Sequence, residues 1–246
     1  MPVLAIDTSA AVSVALVSET GGRLAARSSG ERRRHAESLA PLITQVLDDA
    51  GTDRTALTAV VAGTGPAPFT GLRVGLVTAR TLALAVGIPV LGVPSLDGLA
   101  AQAVSDLGLD PDDEVLVASD ARRKEVYWAR YRVVAHEGPH GVPVVRTVAG
   151  PEVGRAAAVA EAQPGAVAGP ATGVAGARAV VVGEGAALYP DVLPLDDDAP
   201  LLPDATVLAR LALARRDAGL ALPTEPLYLR RPDVQEPAPP KSPALG

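Results

Sequence analysis

The order of hydrophobic patterns in the first hundred residues narrows the fold most. Residues 3–6 form a short apolar run, residues 13–17 alternate, and residues 23–27 follow the turn residues Thr20-Gly21-Gly22. Short period-two runs separated by turn residues predict an antiparallel meander. From residue 35 to 50 the period changes. Leu39, Leu42, Ile43, Val46 and Leu47 fall on one helical face, and Gly51 ends the segment. Residues 57–62 then read as a buried strand, 70–86 as a helix closed by Gly87 and Pro89, 90–93 as a strand, and 95–107 as a helix N-capped by Ser95. The order βββαβαβα predicts a mixed sheet with helices on its faces.

A second set begins after Asp110-Pro111-Asp112-Asp113. Strands are predicted at 114–119, 125–134 and 142–148, a helix at 151–162, an irregular stretch at 164–176, a strand at 179–182 and an amphipathic helix at 205–218. The fold class expected is therefore α/β: two βββαβα units, the second reduced. This is the architecture of actin-like, Hsp70-like and sugar-kinase-like (ASKHA) proteins, and architecture alone does not assign function. The domains expected are 1–109, 110–222, whose last helix can pack back on the first domain, and a proline-rich, largely disordered tail at 223–246.

Composition removes several functions. The 246 residues include no cysteine, which excludes disulfides, thiol catalysis and cysteine-built zinc sites. The net charge is −6, with one Trp and one Phe, which disfavours a broad nucleic-acid grip. Asp7 arrives too early for a signal peptide, and the longest charge-free apolar run is too short to span a bilayer. A soluble, cytoplasmic protein with no membrane contact is expected.

Few residues suggest chemistry. Asp7-Thr8-Ser9, at the end of the first strand, reads either as a phosphate-holding or metal-phosphate-holding turn or as a polar turn bonding its own backbone. Gly63 to Arg73 joins a strand to a helix, yet Pro66 and Pro68 remove N–H donors and no Lys-Ser or Lys-Thr follows, so it is not a P-loop. Gly183-x-Gly185 follows a strand where this fold places its adenosine-side turn. With Asp7, Thr8 and Ser9 it forms a candidate vestigial nucleotide site. Gly71, Gly75, Ala79 and Ala83 recur every fourth residue and make a smooth helical strip, packed either on a helix, of the same chain or of a partner, or on the chain's own sheet. His136 and His140 flank Gly138-Pro139 and read as a solvated loop, and Arg32–Arg34 as a solvated edge. No catalytic residue and no metal site are assigned.

Taken together, several motifs resemble the TsaB (YeaZ) family. They are Leu4-Ala5-Ile6-Asp7-Thr8-Ser9 with Ser13-Val14-Ala15-Leu16, and His35-Ala36-Glu37-Ser38-Leu39-Ala40-Pro41. Gly65-Pro66-Ala67-Pro68-Phe69-Thr70-Gly71-Leu72-Arg73-Val74-Gly75 and Gly92-Val93-Pro94-Ser95-Leu96 follow. Asp120-Ala121-Arg122-Arg123-Lys124-Glu125-Val126-Tyr127 and Pro226-Leu227-Tyr228-Leu229-Arg230 carry the match into the second half. Ala67-Pro68 stands where that family usually has Gly-Ser.

The resemblance implies a non-catalytic dimerisation subunit. Its partners would be a TsaD-like transferase, a TsaE-like ATPase or a second copy, with tRNA met only through the complex. The complex transfers a threonylcarbamoyl group to the adenosine beside the anticodon. TsaD carries a metal-binding His-x-x-x-His, and here His35 is followed at that spacing by Leu39. No cofactor is required, and weak ATP or ADP binding would be confined to the complex. The partner surface expected is His35, Glu37, Leu39, Leu42 and Val46 on the first helix, with Phe69, Thr70, Gly71, Leu72, Arg73, Gly75 and Ala79 on the second. The alternative is a small-molecule kinase or ATPase of the same fold, with Asp120 as its second acidic residue.

Overall fold

The computed structural model describes residues 1–30, 35–167 and 177–230. Strands β1 (Pro2–Asp7), β2 (Val12–Ser18) and β3 (Arg23–Ser29) form the predicted meander. Helix α1 (His35–Asp49), β4 (Ala59–Gly63), α2 (Phe69–Val86), β5 (Val90–Val93) and α3 (Ser95–Leu107) follow in order. The first sheet runs β3-β2-β1-β4-β5. β1–β2 and β2–β3 are antiparallel, and β1–β4 and β4–β5 are parallel.

The second unit has β6 (Glu114–Asp120), β7 (Glu125–Ala135), β8 (Val144–Arg155) and β9 (Ala179–Val182), in the order β8-β7-β6-β9. Its helices are short: α4 (Ala156–Ala162), α5 (Pro164–Val167) and α6 (Glu184–Leu188). Helix α7 (Ala205–Asp217) closes the order. The fold is thus the duplicated α/β architecture of the actin-like, Hsp70-like and sugar-kinase-like proteins, with a reduced second unit.

Strand alternation builds the layers. Leu4, Ile6, Val14 and Leu16 face α1 and α2, while Val3, Ala5, Ala15 and Val17 face α7. Helix α3 turns Leu96, Leu99 and Val104 toward Val115, Tyr131 and Val180 of the second sheet. On the far face of that sheet, Leu116 and Trp128 pack with Val159 of α4 and Ala186 of α6. Helices α3 and α7 therefore lie between the two sheets. A Cβ on Gly98 of α3 would come within 2.6 Å of Leu208 of α7, which is why a glycine sits there.

Two expectations are corrected here. The helix expected at 151–162 starts only at Ala156, because β8 continues to Arg155. Gly150 and Pro151 fall in an irregularity between the pairs Arg130–Ala149 and Trp128–Glu152, so the missing N–H of Pro151 interrupts no ladder bond. Of the tail expected to be largely disordered from residue 223, Thr224 and Tyr228 are instead bonded to α2 and Arg230 to Ala121 of the second unit. Residues 231–246, residues 168–176 of the expected irregular stretch, and Arg32–Arg34 lie outside the described residues.

Among the described residues, α2 alone is long and apolar enough, by length and composition, to cross a membrane. It is seated on the first sheet through Leu72, Leu76, Ala79 and Ala83.

Candidate partner face and closed polar turn

Asp7 ends β1, and its carboxylate is buried. Oδ1 accepts hydrogen bonds from the backbone N–H of Ser9 at 2.8 Å and from its hydroxyl at 2.6 Å. Oδ2 accepts from the Ser95 hydroxyl at 2.5 Å. Ser95 is the first residue of α3 rather than its N-cap, which is Pro94. The Ser95 hydroxyl in turn accepts from the Gly65 N–H at 3.2 Å, and the Ser95 N–H bonds the Gly65 carbonyl at 2.8 Å. A side chain on Gly63 would collide with the Asp7 carboxylate, so the glycine makes room for this knot. Both carboxylate oxygens are thus held by the chain itself, as the polar-turn reading of Asp7-Thr8-Ser9 requires.

Thr8 fixes α2. Its hydroxyl donates to the Gly71 carbonyl at 2.8 Å and accepts from the Gly75 N–H at 3.1 Å. A Cβ on Gly75 would collide with that hydroxyl. The smooth strip therefore packs inward on the chain's own strand end. Of the expected partner surface, Leu39, Val46, Leu72, Gly75 and Ala79 are buried in the chain's own core and present nothing to a partner. Leu42 and Gly71 are half-buried, and Glu37, Phe69, Thr70 and Arg73 are exposed. The side chain of His35 lies outside the described set. Four-residue spacing located a strip correctly but could not say which way it points.

The outward face of α2 is a different strip. Val77 is 59% exposed and Leu84 84% exposed, one heptad apart. Beside it, Phe69, Arg73 and Tyr228 form a cluster. The Arg73 guanidinium lies 3.5 Å from the centre of the Phe69 ring and its Nε donates to the Tyr228 hydroxyl at 2.9 Å.

Tyr228 belongs to a strap at 220–230 that patterning missed. Arg80 bonds the Thr224 carbonyl at 2.7 Å, the Leu227 N–H bonds the Thr64 carbonyl at 2.9 Å, and the Gly92 N–H bonds the Leu222 carbonyl at 3.1 Å. Arg230 ends the strap on the second unit, on the Ala121 carbonyl at 3.1 Å and the Glu125 carboxylate at 3.0 Å. The Tyr-Leu-Arg of Pro226-Leu227-Tyr228-Leu229-Arg230 was the signal that could have revealed it.

Asp120 repeats Asp7 in the second unit. Each sits at the end of a first strand and accepts from the N–H two residues on, Arg122 at 2.7 Å for Asp120. Its other oxygen pairs with the Arg122 guanidinium at 2.9 Å. Gly183 and Gly185 lie against the backbone of β6. A Cβ on Gly185 would be 2.9 Å from Ala118, and one on Gly183 would collide with the Ala118 carbonyl. Close packing accounts for both glycines.

The two loop histidines are not a solvated pair: His136 bonds the Leu109 carbonyl at 3.0 Å, and His140 pairs with Asp217 at 2.8 Å. Tyr131 of β7 donates to Asp97 of α3 at 2.8 Å. Its phenol pKa is pushed well above the ordinary tyrosine value, chiefly by burial and then by the Asp97 charge.

Similarity to known proteins agrees with this geometry. A family model described as TsaD, tRNA N6-adenosine threonylcarbamoyltransferase, matches residues 28–214. A Mycobacterium tuberculosis protein, Rv3421c, is 41% identical over 235 residues, covering 95% of this chain and 93% of its own length. Escherichia coli TsaB, a tRNA threonylcarbamoyladenosine biosynthesis protein, is 39% identical over 133 residues, which is 54% of this chain and 55% of that protein. The structure of YeaZ from Pseudomonas aeruginosa superposes with a TM-score of 0.68 at 32% identity, over 93% of this chain and 99% of that one. The chain belongs to the family of that TsaD model, and within it to the TsaB/YeaZ group.

Proposed function

We propose that the chain is a non-catalytic, cytoplasmic subunit in the biosynthesis of tRNA threonylcarbamoyladenosine, acting as a docking scaffold for a TsaD-type transferase. The observation that carries this reading is the outward face of α2, where Val77 and Leu84 are offered to solvent on a rigid helix. Burying two such side chains is worth about 1.5–3 kcal/mol each, a useful core for an interface. The exposed Thr70, Arg73 and Glu37 supply a polar rim. The same face would serve a second copy, so homodimer and transferase complex compete. A TsaE-like ATPase joins that assembly, and no cofactor is required by this chain.

The kinase reading is less favoured. Asp7, Thr8 and Asp120 are spent on internal hydrogen bonds, and a phosphate would have to displace them.

The test is Leu84→Asp. The variant should melt as wild type, because Leu84 is 84% exposed, and should lose co-elution with a TsaD-type partner. Wild-type affinity would place the interface elsewhere. MgATP should leave the melting temperature of the isolated chain unchanged, and a clear rise would favour the kinase reading.

A further inference from the structure

At alternating steps of four and three residues, Arg73, Val77, Arg80 and Leu84 of α2 share one face, and all four are exposed. This outward stripe alternates cation and apolar side chain. Both arginines are held by neutral groups. Arg73 gives its Nε–H to the Tyr228 hydroxyl at 2.9 Å and lays its guanidinium 3.5 Å from the centre of the Phe69 ring. Arg80 donates from Nη2 to the carbonyl and hydroxyl oxygens of Thr224 at 2.7 and 3.1 Å. Among the described residues no carboxylate pairs with either arginine. Glu225, the single carboxylate of the strap, is exposed between those contacts and bonds neither. Two arginines against one glutamate leave the stripe positive on a chain of net charge −6.

Arg73 is the member already set in place. Its Nε bond and ring contact fix the plane of the guanidinium, while its two terminal nitrogens have no partner in the chain. An arginine fork so held loses little freedom when a carboxylate arrives. The cradle draws on scarce residues. It uses the chain's only Phe and one of its four Tyr, and leaves each ring 40% exposed. Arginine beside exposed aromatic rings is the composition of an interface hot spot.

We propose that Arg73 anchors a carboxylate of the TsaD-type partner and that Arg80 meets a second one, so that the partner brings an apolar patch flanked by acidic side chains. This rests on the reading of α2 as the docking face and makes Arg73 its anchor rather than part of its rim. Seven residues separate the two arginines, about 10 Å along the helix axis, and the partner's carboxylates should match that spacing with Val77 covered between them. A second copy is the less suitable occupant, because the same stripe on both chains brings four arginines into one contact. RNA is less suitable too, since a phosphate chain offers Val77 and Leu84 nothing to bury against.

The experiment measures binding of the organism's TsaD-type transferase to the full chain at a series of KCl concentrations. Arg73→Gln removes the charge at an exposed position and should melt within a few degrees of wild type. Its affinity for the transferase should fall about thirtyfold or more, and the remaining binding should depend less on salt. Arg73→Lys should recover only part of the loss, because an ammonium keeps the charge but not the fork. Any homodimer should be as tight in Arg73→Gln as in wild type, or tighter. Wild-type transferase affinity in Arg73→Gln, with binding abolished in Leu84→Asp, overturns the anchor and leaves the docking face standing. Wild-type affinity in both variants places the interface elsewhere and ends both readings, as does a wild-type chain that binds no transferase. An Arg73→Gln variant that loses the homodimer or tRNA while holding the transferase gives the stripe to another occupant and also overturns the proposal.

Discussion

The Ser95 hydroxyl donates to the Asp7 carboxylate at 2.5 Å, joining the end of β1 to the first turn of α3 across 88 residues. The same hydroxyl receives the Gly65 N–H, so one oxygen ties the β1–β2 turn to the β4–α2 and β5–α3 junctions of the first sheet. Ser95→Ala would leave a buried carboxylate short of one donor and a buried N–H without its acceptor. An unsatisfied buried polar group costs about 1–3 kcal/mol. At about 2–4 °C per kcal/mol for a chain of this size, the melting temperature should fall by several degrees. A Ser95→Ala variant that melts with the wild type would show that the knot is not structural.

Gly75 and Thr8 form a second coupled pair. Gly75→Ala places a methyl group on the Thr8 hydroxyl and should cost about 1–3 kcal/mol through overpacking. Thr8→Ala alone should also destabilise, since it removes the buried hydroxyl that bonds both the Gly71 carbonyl and the Gly75 N–H. In the double variant the two costs should not add, because the collision disappears with the hydroxyl. Chemical denaturation of the four proteins gives the coupling directly, and strict additivity would contradict the inward packing of the strip.

Much of the fold was legible because periodicity is local. β5 and α3 begin and end where their hydrophobic patterns do, and the meander, α1 and α2 shift by a residue or two. What was not legible depends on partners far away in sequence. Ser95 has the composition of an N-cap, and only the position of Asp7 makes it a knot residue. The Gly71–Ala83 strip is visible in sequence, but the sheet beneath it decides that it faces inward, leaving Val77 and Leu84 outside. Pro151 looks like a helix start until its place opposite a β7 irregularity is known. The strap was hidden because its residues follow no period; backbone groups of Thr64 and Gly92 hold it.

Acid should loosen the contact between α7 and the first hairpin. Glu19 accepts from Arg216 at 2.8 Å and from Thr58 at 2.7 Å, and these bonds, the arginine's first, lower its carboxyl pKa. A carboxylate lowered in the folded state contributes stability above its unfolded value of about 4.3 and loses it as pH falls toward the folded value. Asp217, lowered chiefly by His140 and then by Arg216, acts in the same direction at lower pH. Glu19→Gln should therefore melt slightly below wild type at pH 7, by less than about 1 kcal/mol for so exposed a pair. The two melting curves should converge as pH falls below the unfolded carboxyl value and through the lowered folded one. A gap that does not narrow with acid would mean that the glutamate acts through packing rather than charge.

The strap should be removable from α2 without unfolding the sheet. Its closest approach is at Gly92 of β5, where a side chain would collide with the Pro223 carbonyl, while the Gly92 N–H holds Leu222. Gly92→Ala pushes the strap away at this point. The β4–β5 pairing stays intact, because alanine is acceptable in a strand and the Cβ meets the strap and the Thr64 side chain. Downstream, the bonds from Leu227 to Thr64 and from Arg73 to Tyr228 would be strained or lost. Tyr228→Phe is the milder counterpart: it deletes the Arg73 hydrogen bond, keeps the ring beside Phe69, and should cost about 0.5–1.5 kcal/mol or less for so exposed a bond. Limited proteolysis followed by mass spectrometry should show cleavage within 220–230 markedly faster in Gly92→Ala than in wild type, with the first-sheet amides still protected from hydrogen exchange. Equal cleavage rates would mean that the strap is held by its arginine contacts alone. Loss of protection across β4 and β5 would instead make the strap an integral part of the sheet's stability.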